Sequence, residues 1–205
     1  MEEYAILGGG GNAVEISEYM LAEDKKICGY YSLEENNLLS SMIPYLGDER
    51  KNFNPNLKYI VASGLINIRK KMINFIEKNN LQVGSFISKH AYLSKNFDCG
   101  KGLVVAPFAV IGQFTNIGDY VFINVHGTVG HDAYIGKNVV IGPGAIITGS
   151  CKIGNNVMLG SNAALVPNTI LEDDVEIGIL TYPMRKVKAG RFILSEPGRT
   201  LRENV

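Results

Sequence analysis

Apolar residues recur at every sixth position through residues 87–182, and glycine often follows them. Stepping by six from Ile87 meets fifteen aliphatic residues in sixteen steps, with Cys99 as the exception. Neither an α-helix, with a period of about 3.6 residues, nor a flat strand, with a period of about two, produces this spacing, whereas a hexapeptide β-solenoid does. The pattern therefore predicts a parallel β-helix in which three hexads form one triangular coil. Aliphatic residues would fill the interior, and glycine or a small polar residue would make each turn.

Residues 1–84 show another pattern, in which short apolar runs alternate with amphipathic segments. Segments 4–7, 27–31 and 59–62 predict buried strands, whereas 12–22 and 65–78 predict helices, the second with Arg69 on its exposed face. Alternating strands and helices are typical of a small parallel α/β domain of Rossmann-like type. We therefore expect three parts, which are an α/β domain (1–84), an all-β β-helix (86–182) and a C-terminal extension (183–205). This extension loses the hexad phase and either packs on the last coil or trails from it.

Charge and composition exclude several classes of function. Lys+Arg and Asp+Glu balance at 20 each, without a long block of like charge, so neither nucleic acid nor an anionic membrane is an expected partner. The first residues lack the basic flank and apolar run of a signal peptide, and no segment approaches the roughly 20 apolar residues of a membrane span. We expect a cytoplasmic protein. The three cysteines form no CxxC pair, which argues against a disulfide framework or a thiolate metal site.

The clearest chemical signal lies inside the solenoid, where Asn124 is followed seven residues later by His131 and Asp132. With this motif the chain resembles the left-handed β-helix sugar acyltransferases, in particular the bacterial family that N-acetylates nucleotide-linked amino sugars or O-acetylates sialic acid. The glycine-rich α/β domain, the hexads and the ending 188–190 … 197–199 (KAG … PGR) carry the rest of the resemblance. It implies a left-handed β-helix, acetyl-CoA as co-substrate, no metal, and a homotrimer with active sites between subunits.

The resemblance also assigns catalytic roles. His131 would be the general base, since an imidazole titrates near about pH 6.5, and Asp132 would be its partner, although the sequence leaves their direct contact open. Asn124 is either a polar contact to the sugar or His131, or a corner residue in the left-handed conformation. Gly149 matches a position whose N–H acts as oxyanion donor. Some relatives place a second histidine where this chain has Val140.

The glycine run 8–11 lies between the first strand and the first helix, where backbone amides can approach a phosphate. A redox-cofactor site would need an acidic residue after the second strand, where this chain has Tyr31 and Ser32. In the resembled family the loop holds a sugar nucleotide instead. The substrate-binding residues implied by the resemblance are Gly8, Gly10, Gly11, Asn12, Tyr31, Ser32, Gly64 and Arg69, with a plain helix surface charge as the alternative for Arg69.

For the CoA moiety, the resemblance implies a groove between adjacent subunits, beside the later coils. The residues implied there are Gly142, Gly160, Ala163, Lys188 and Arg199.

His90, His126 and His131 suggest a zinc site, but their spacing argues against one. The 36 residues from His90 to His126 are two full coils, or roughly 9–10 Å along the solenoid, whereas Zn–N bonds are about 2.0–2.1 Å. We therefore expect His90 and His126 to be polar corner residues, and we expect no metal.

Together these features predict an acetyl-CoA-dependent N-acetyltransferase in surface-glycan biosynthesis. Its substrate would be a nucleotide-linked 4-amino-4,6-dideoxy sugar, with UDP preferred to dTDP or GDP as the nucleotide. Two alternatives stay open: O-acetylation of sialic acid or another sugar, and a non-catalytic solenoid that binds a nucleotide sugar.

Overall fold

The computed structural model describes residues 2–183 and 185–195. Its N-terminal part is a five-stranded parallel sheet in the order β3-β2-β1-β4-β5 with three helices. The bounds are β1 (Glu3–Leu7), α1 (Gly11–Leu21), β2 (Lys26–Tyr31), α2 (Asn37–Ser40), β3 (Tyr45–Gly47), β4 (Lys58–Val61), α3 (Ile66–Lys78) and β5 (Gln82–Val83). The sequence predicted β1, β2, β4, α1 and α3 to within one residue at each end. It missed α2, β3 and β5, because two to four residues are too few to show a period.

Buried apolar residues explain why the N-terminal segments form these elements. Ala13, Ile16 and Met20 recur at helical spacing on the buried side of α1. The residues from Tyr4 to Leu7 are buried on both faces of the sheet, as expected for a strand of a parallel sheet covered on both sides. The predicted α/β layering is therefore present.

The second part is a triangular prism of short parallel strands arranged in three sheets. We call the sheets faces 1, 2 and 3, in the order in which the chain meets them. Face 1 contains β6 (Phe86–Ile87), β9 (Val104–Val105), β12 (Phe122–Ile123), β15 (Val140–Ile141), β18 (Met158–Leu159), β21 (Glu176–Ile177) and β23 (Phe192–Ile193). Face 2 contains β7 (Tyr92–Leu93), β10 (Val110–Ile111), β13 (Thr128–Val129), β16 (Ile146–Ile147) and β19 (Ala164–Leu165). Face 3 contains β8 (Phe97–Cys99), β11 (Thr115–Ile117), β14 (Tyr134–Ile135), β17 (Lys152–Ile153), β20 (Ile170–Leu171) and β22 (Lys186–Val187).

Each coil is in register with the next at a spacing of eighteen residues, as with Val110 opposite Thr128 and Thr128 opposite Ile146. The aliphatic hexad positions form the interior of the prism. Cys99 is exposed because its strand β8 lies at the edge of face 3, in the first coil. The solenoid predicted from the hexads is present with the predicted register.

The turns differ from the expectation that glycine makes them. Every sixth residue from Gly102 to Leu180 has a φ between +52° and +73°, and only two of these residues, Gly102 and Gly144, are glycine. The glycines that follow the aliphatic hexad positions precede these left-handed positions by two residues, where coils approach closely. A Cβ on Gly112 would lie 2.7 Å from the backbone nitrogen of His131. Hexad glycines are therefore required mainly by contact between coils, and Asn, Asp and other residues supply the left-handed turn.

The prism continues beyond the expected boundary at residue 183. β22 pairs with β20 and β23 pairs with β21, each with a spacing of sixteen residues, as with Ile170 opposite Lys186. The loss of hexad phase thus reflects a last coil that is two residues shorter. The described part of the expected C-terminal extension packs on the preceding coil, and residues 196–205 lie outside the described ranges.

The α/β domain packs on face 1 of the prism. Phe86, Val104, Phe122 and Val140 point outward from this face into a core shared with β1, β2, β4 and α1. Val140, which stands where some relatives have a second histidine, is therefore an interdomain core residue. Within the described ranges, no helix is both long and apolar enough to cross a membrane.

Candidate active site

His131 lies on the corner between faces 2 and 3, where β13 ends and β14 has not yet begun. Its Nδ1 is 2.6 Å from Oδ2 of Asp132, so the contact that the sequence left open is present. Asp132 has a φ of 57°, one of the left-handed corners, and its N–H donates to the carbonyl of Gln113 in the preceding coil. The fixed corner thus holds the carboxylate beside the imidazole.

The ring of His131 lies directly over Gly149 in the following coil. A Cβ on Gly149 would be 2.5 Å from Nε2 of His131, so only glycine leaves room for the ring in this position. The carbonyl of His131 accepts the N–H of Ser150 at 2.8 Å. Since Nδ1 faces Asp132, the tautomer with its proton on Nδ1 leaves Nε2 as the free acceptor.

Gly149 also offers a backbone donor beside the imidazole. Among the residues that the structure describes, its N–H has no hydrogen-bond partner. A Cβ on Gly130 would lie 2.7 Å from this nitrogen, so glycine at position 130 leaves the nitrogen uncovered. An unpaired N–H next to a base has the geometry of an oxyanion donor, which supports the predicted role of Gly149 without testing it.

The imidazole and the carboxylate are open to solvent in a single chain. The side chains of His131 and Asp132 are 68% and 54% exposed. Water would screen charge in such a site, whereas electrostatic catalysis is strong where water is excluded. Another surface or a ligand has to cover this corner for it to work efficiently.

Asn124 lies on a different corner from His131. It follows β12, between faces 1 and 2, and the structure shows no hydrogen bond between the two side chains. It is also not the left-handed residue of its corner, because His126 has that conformation, with a φ of 57°. Asn124 is 5% exposed, and its Oδ1 accepts the N–H of Val125. The interpretation of Asn124 as a left-handed corner residue is therefore wrong.

A cavity of about 620 Å³ opens at the carboxyl ends of β1 and β2. We call it the carboxyl-edge cavity. Gly8, Tyr31 and Ser32, three of the predicted substrate-binding residues, line it. Aromatic side chains form part of its wall, where Phe53 and Phe75 pack edge to face with ring centroids 5.4 Å apart. Its size and mixed lining suit a nucleoside with attached phosphates.

A second cavity, of about 410 Å³, adjoins the first and shares Gly8 and Gly9 with it. We call it the glycine-loop cavity. Its lining residues include the predicted Gly10, Gly11, Asn12 and Gly64. Gly10 caps the N-terminus of α1, an end that attracts anions. The Asn12 side chain lies against Gly64, where a Cβ would be 2.9 Å from Nδ2. The structure therefore brings together seven of the eight predicted substrate-binding residues.

Arg69 lines neither cavity. It is 1% exposed, and its guanidinium donates to the Asn138 side chain of the prism at 2.9 Å and to the backbone carbonyls of Ser63 and Tyr120. Burial lowers the pKa of this guanidinium, because removal from water disfavours its charge. The alternative of a plain surface charge is wrong, because α3 packs this face against the prism. Arg69 is placed as a tether between the two parts, which departs from the predicted contact with substrate.

The sequence missed charged residues in the carboxyl-edge cavity. Lys71 and Lys78 line it from α3, and neither has an ion-pair partner among the described side chains. Both are exposed, and seven residues of helix place them on one side about 10 Å apart. Arg50 and Glu49 line it from the loop after β3. The spacing of the two lysines was visible in the sequence, but the loop has no periodicity that could have placed its residues.

The residues predicted to bind CoA do not form one group in a single chain. Gly142 and Gly160 lie one coil apart on the corner between faces 1 and 2. Lys188 instead follows β22 on face 3, and its Nζ lies 3.6 Å from Oε1 of Glu172. Ala163 is fully buried in the prism interior. Its side chain points inward, so the predicted contact with CoA would have to involve the backbone of Ala163. Arg199 lies outside the described residues.

His90 and His126 occupy exposed corners, and the ring of Phe108 lies between them. The centroid of Phe108 is 6.1 Å from that of His90 and 5.4 Å from that of His126. This column confirms that the two histidines are two coils apart. Throughout residues 2–183 and 185–195, no group of three or more His, Cys, Asp or Glu residues could hold a metal ion.

Solved structures with the same fold exist for sugar acetyltransferases. PerB from Caulobacter crescentus, in complex with CoA and GDP-perosamine, matches with a TM-score of 0.83 and 21% identity, over 95% of this chain and 94% of that one. The acetyltransferase domain of PglB from Neisseria gonorrhoeae, in complex with acetyl coenzyme A, matches with a TM-score of 0.84 and 22% identity, over 98% and 99%. WeeI from Acinetobacter baumannii matches with a TM-score of 0.80 and 17% identity, over 97% and 99%.

No family model matches the sequence, and no curated protein matches it. At these identities the structural matches show the fold. The predicted resemblance to left-handed β-helix sugar acyltransferases is thus confirmed for the fold, along almost the whole chain.

Proposed function

We propose that this protein is an acetyl-CoA-dependent N-acetyltransferase that acts on a nucleotide-linked amino sugar, with His131 as general base. The observation that carries the proposal is the His131–Asp132 pair, in which Nδ1 is held and Nε2 is free above Gly149. The nucleotide-sized cavity of the α/β domain, which we regard as Rossmann-like, supports a nucleotide-linked substrate. So does the fold shared with an enzyme solved with CoA and GDP-perosamine.

The chemistry follows from the geometry of the corner. Nε2 of His131 accepts a proton from the sugar amine as its nitrogen attacks the thioester carbonyl, and Asp132 stabilises the imidazolium that forms. The carbonyl oxygen gains negative charge, which the Gly149 N–H stabilises. When the C–S bond breaks, the thiolate of CoA takes a proton, and His131 is the nearest donor. The products are an N-acetyl sugar and free CoA.

The active site requires two copies of the chain. The α/β domain covers face 1, while His131 lies on the corner opposite that face, with the closely packed interior of the prism between them. A sugar held by the domain of one copy is therefore brought to His131 of a neighbouring copy. Asn124, on another corner, reaches the same site only from a second chain. We infer a homotrimer, which is a closed ring. The domain of each copy would present its substrate to one neighbour, and His131 of that copy would receive a substrate from the other neighbour.

The two cavities suit different parts of the substrate. The carboxyl-edge cavity would hold the nucleoside, with Lys71 and Lys78 drawn to its phosphates, and the glycine-loop cavity would hold the end that leads to the sugar. A 4-amino-4,6-dideoxy sugar is our choice within this class, since perosamine is named in the substrate bound to a structural neighbour. The CoA contacts of Gly142, Gly160, Ala163, Lys188 and Arg199 stay predictions. So do the place in surface-glycan synthesis and the cytoplasmic location.

The test is thiol release from acetyl-CoA in the presence of a panel of acceptors. The panel contains UDP-, dTDP- and GDP-linked 4-amino sugars, the matching 4-hydroxy sugars and sialic acid. We expect turnover with at least one nucleotide-linked amine. Turnover only with a hydroxyl acceptor would replace this proposal by O-acetylation, and binding of a nucleotide sugar without any thiol release would indicate a non-catalytic solenoid.

A further inference from the structure

The second strand of the α/β domain ends without a free acidic side chain in the carboxyl-edge cavity. Nucleotide-binding domains of this kind often use an acidic residue at this point to bind ribose hydroxyls. Here the Ser32 hydroxyl donates to the carbonyl of Glu34, and the Tyr31 hydroxyl accepts the N–H of Asn54. Glu34 and Glu35, which follow, do not line the cavity. A carboxylate acceptor for the sugar of a nucleoside would therefore come from another element.

Glu49 reaches the same cavity from the neighbouring strand. β3 pairs with β2 in parallel, with Tyr31 opposite Gly47, and the Ser32 N–H donates to the Gly47 carbonyl at 3.0 Å. Glu49 follows Gly47 by two residues and lines the cavity beside Ser32. Adjacent strands lie about 4.7–4.9 Å apart, a distance that a glutamate side chain spans. This acidic residue is thus displaced by one strand and still lines the cavity at the carboxyl ends of β1 and β2.

The arginine next to Glu49 pairs with another carboxylate. The next residue, Arg50, donates from Nε and from a terminal nitrogen to both oxygens of Asp48, at 2.9 and 2.7 Å. This pair lowers the pKa of Asp48 to about 2. Glu49 itself is half-buried and makes neither a hydrogen bond nor an ion pair within the described ranges. Its two oxygens are therefore free to accept hydrogen bonds from a ligand in the cavity.

We propose that Glu49 accepts hydrogen bonds from the ribose hydroxyls of the nucleotide, so that the substrate is a ribonucleotide-linked sugar rather than a 2′-deoxyribonucleotide-linked one. A carboxylate is acceptor-only, and its two oxygens match the two vicinal hydroxyls of ribose. Loss of the 2′-hydroxyl leaves one oxygen without a donor inside the cavity. This inference rests on the proposed function, because it concerns the nucleotide of the same substrate.

The experiment measures the affinity of the full-length protein for UDP, GDP and their 2′-deoxy counterparts by isothermal titration calorimetry. We expect the ribonucleotide of the preferred base to bind about tenfold more tightly than its deoxy form, as for one hydrogen bond to a charged acceptor. Glu49→Ala should bring this ratio close to one. Glu34→Ala removes an exposed carboxylate near the same edge but outside the cavity lining, and should leave the ratio unchanged.

Equal affinity for the ribo and deoxy forms in the wild type would overturn the inference, and so would a ratio that Glu49→Ala leaves intact. In either case, acetylation of a nucleotide-linked amine would still stand. If none of the four nucleotides binds and no nucleotide-linked amine is acetylated, the proposed function fails as well.

Discussion

The prism and the α/β domain carry different parts of the proposed reaction, and they are built by different rules. In the prism one hexad is repeated, with a register of eighteen residues between coils before the last, and this repeat fixes the corner that carries His131 and Asp132. The α/β domain has no repeat, and its cavities are lined by loops and by one face of α3. In the proposed reaction, the regular part therefore positions the reacting groups, while the irregular part selects the substrate.

The sharpest test of this division of roles is substitution of the proposed general base, His131. His131→Ala should lower kcat of acetyl transfer by about 10²–10⁴-fold, because one positioned general base contributes that much, while nucleotide binding in the α/β domain stays unchanged. Steady-state kinetics and calorimetry measure the two effects. His126→Ala, which removes an exposed histidine from another corner, is the matched control. Full activity of the His131 variant would refute the base assignment.

A buried arginine helps to join the two parts, and its loss should destabilise the protein. Arg69→Met leaves the Asn138 side chain and the backbone carbonyls of Ser63 and Tyr120 without their donor, for an expected loss of about 3 kcal/mol in the free energy of unfolding. Urea titration followed by circular dichroism measures this loss. Lys70→Met breaks only the exposed ion pair with Asp174 and should cost less than about 1 kcal/mol. Similar losses for the two variants would argue against the tether.

Substitutions of two glycines of the prism should distinguish a loss of activity from a loss of stability. Gly149→Ala would place a methyl group 2.5 Å from Nε2 of His131, so we expect kcat to fall by about 10–100-fold as the ring is displaced. Gly136→Ala would instead meet the backbone of Gly154 at 2.6 Å, and should lower stability by about 1–3 kcal/mol with kcat little changed. Kinetics and thermal unfolding of both variants test the pair. The assignment of Gly149 would be wrong if both variants lost only stability.

The smallest expected effect concerns the two lysines that line the carboxyl-edge cavity. Lys71→Met and Lys78→Met should each weaken binding of a nucleoside diphosphate by about five- to tenfold, since each removes a charge-assisted contact to phosphate. Raising the salt concentration should reduce the difference from the wild type. Lys25→Met, an exposed change outside the lining, should have no effect. Unchanged affinity in both cavity variants would place the phosphates elsewhere.

The sequence predicted the prism far better than the cavities, for a physical reason. Interior positions repeat every six residues because each strand buries one side, and this repeat was readable without any tertiary knowledge. Arg69 shows the opposite case. Its helical position was correctly located, but its burial depends on Asn138 and Tyr120, which are distant in sequence. No local pattern contains that contact.

The residues of the candidate site also differ in how far the sequence could predict them. His131 and Asp132 were identified through the family resemblance of the motif that they form with Asn124, and their contact depends only on the local corner. Glu49 was missed, because it becomes part of the cavity only through the pairing of β3 with β2, and β3 is three residues long. For Ala163 the resemblance suggested a CoA contact, and its inward hexad position limits such a contact to the backbone.

The central claim is that the domain of one copy delivers substrate to His131 of another, and complementation tests it directly. Chains carrying His131→Ala and chains carrying Lys71→Glu with Lys78→Glu are co-expressed in equal amounts, and the mixed oligomers are assayed at low sugar concentration. Each site then needs an intact domain and an intact His131 from different chains, so activity should reach about one quarter of wild type. Activity no higher than the sum of the two parent variants would contradict the claim.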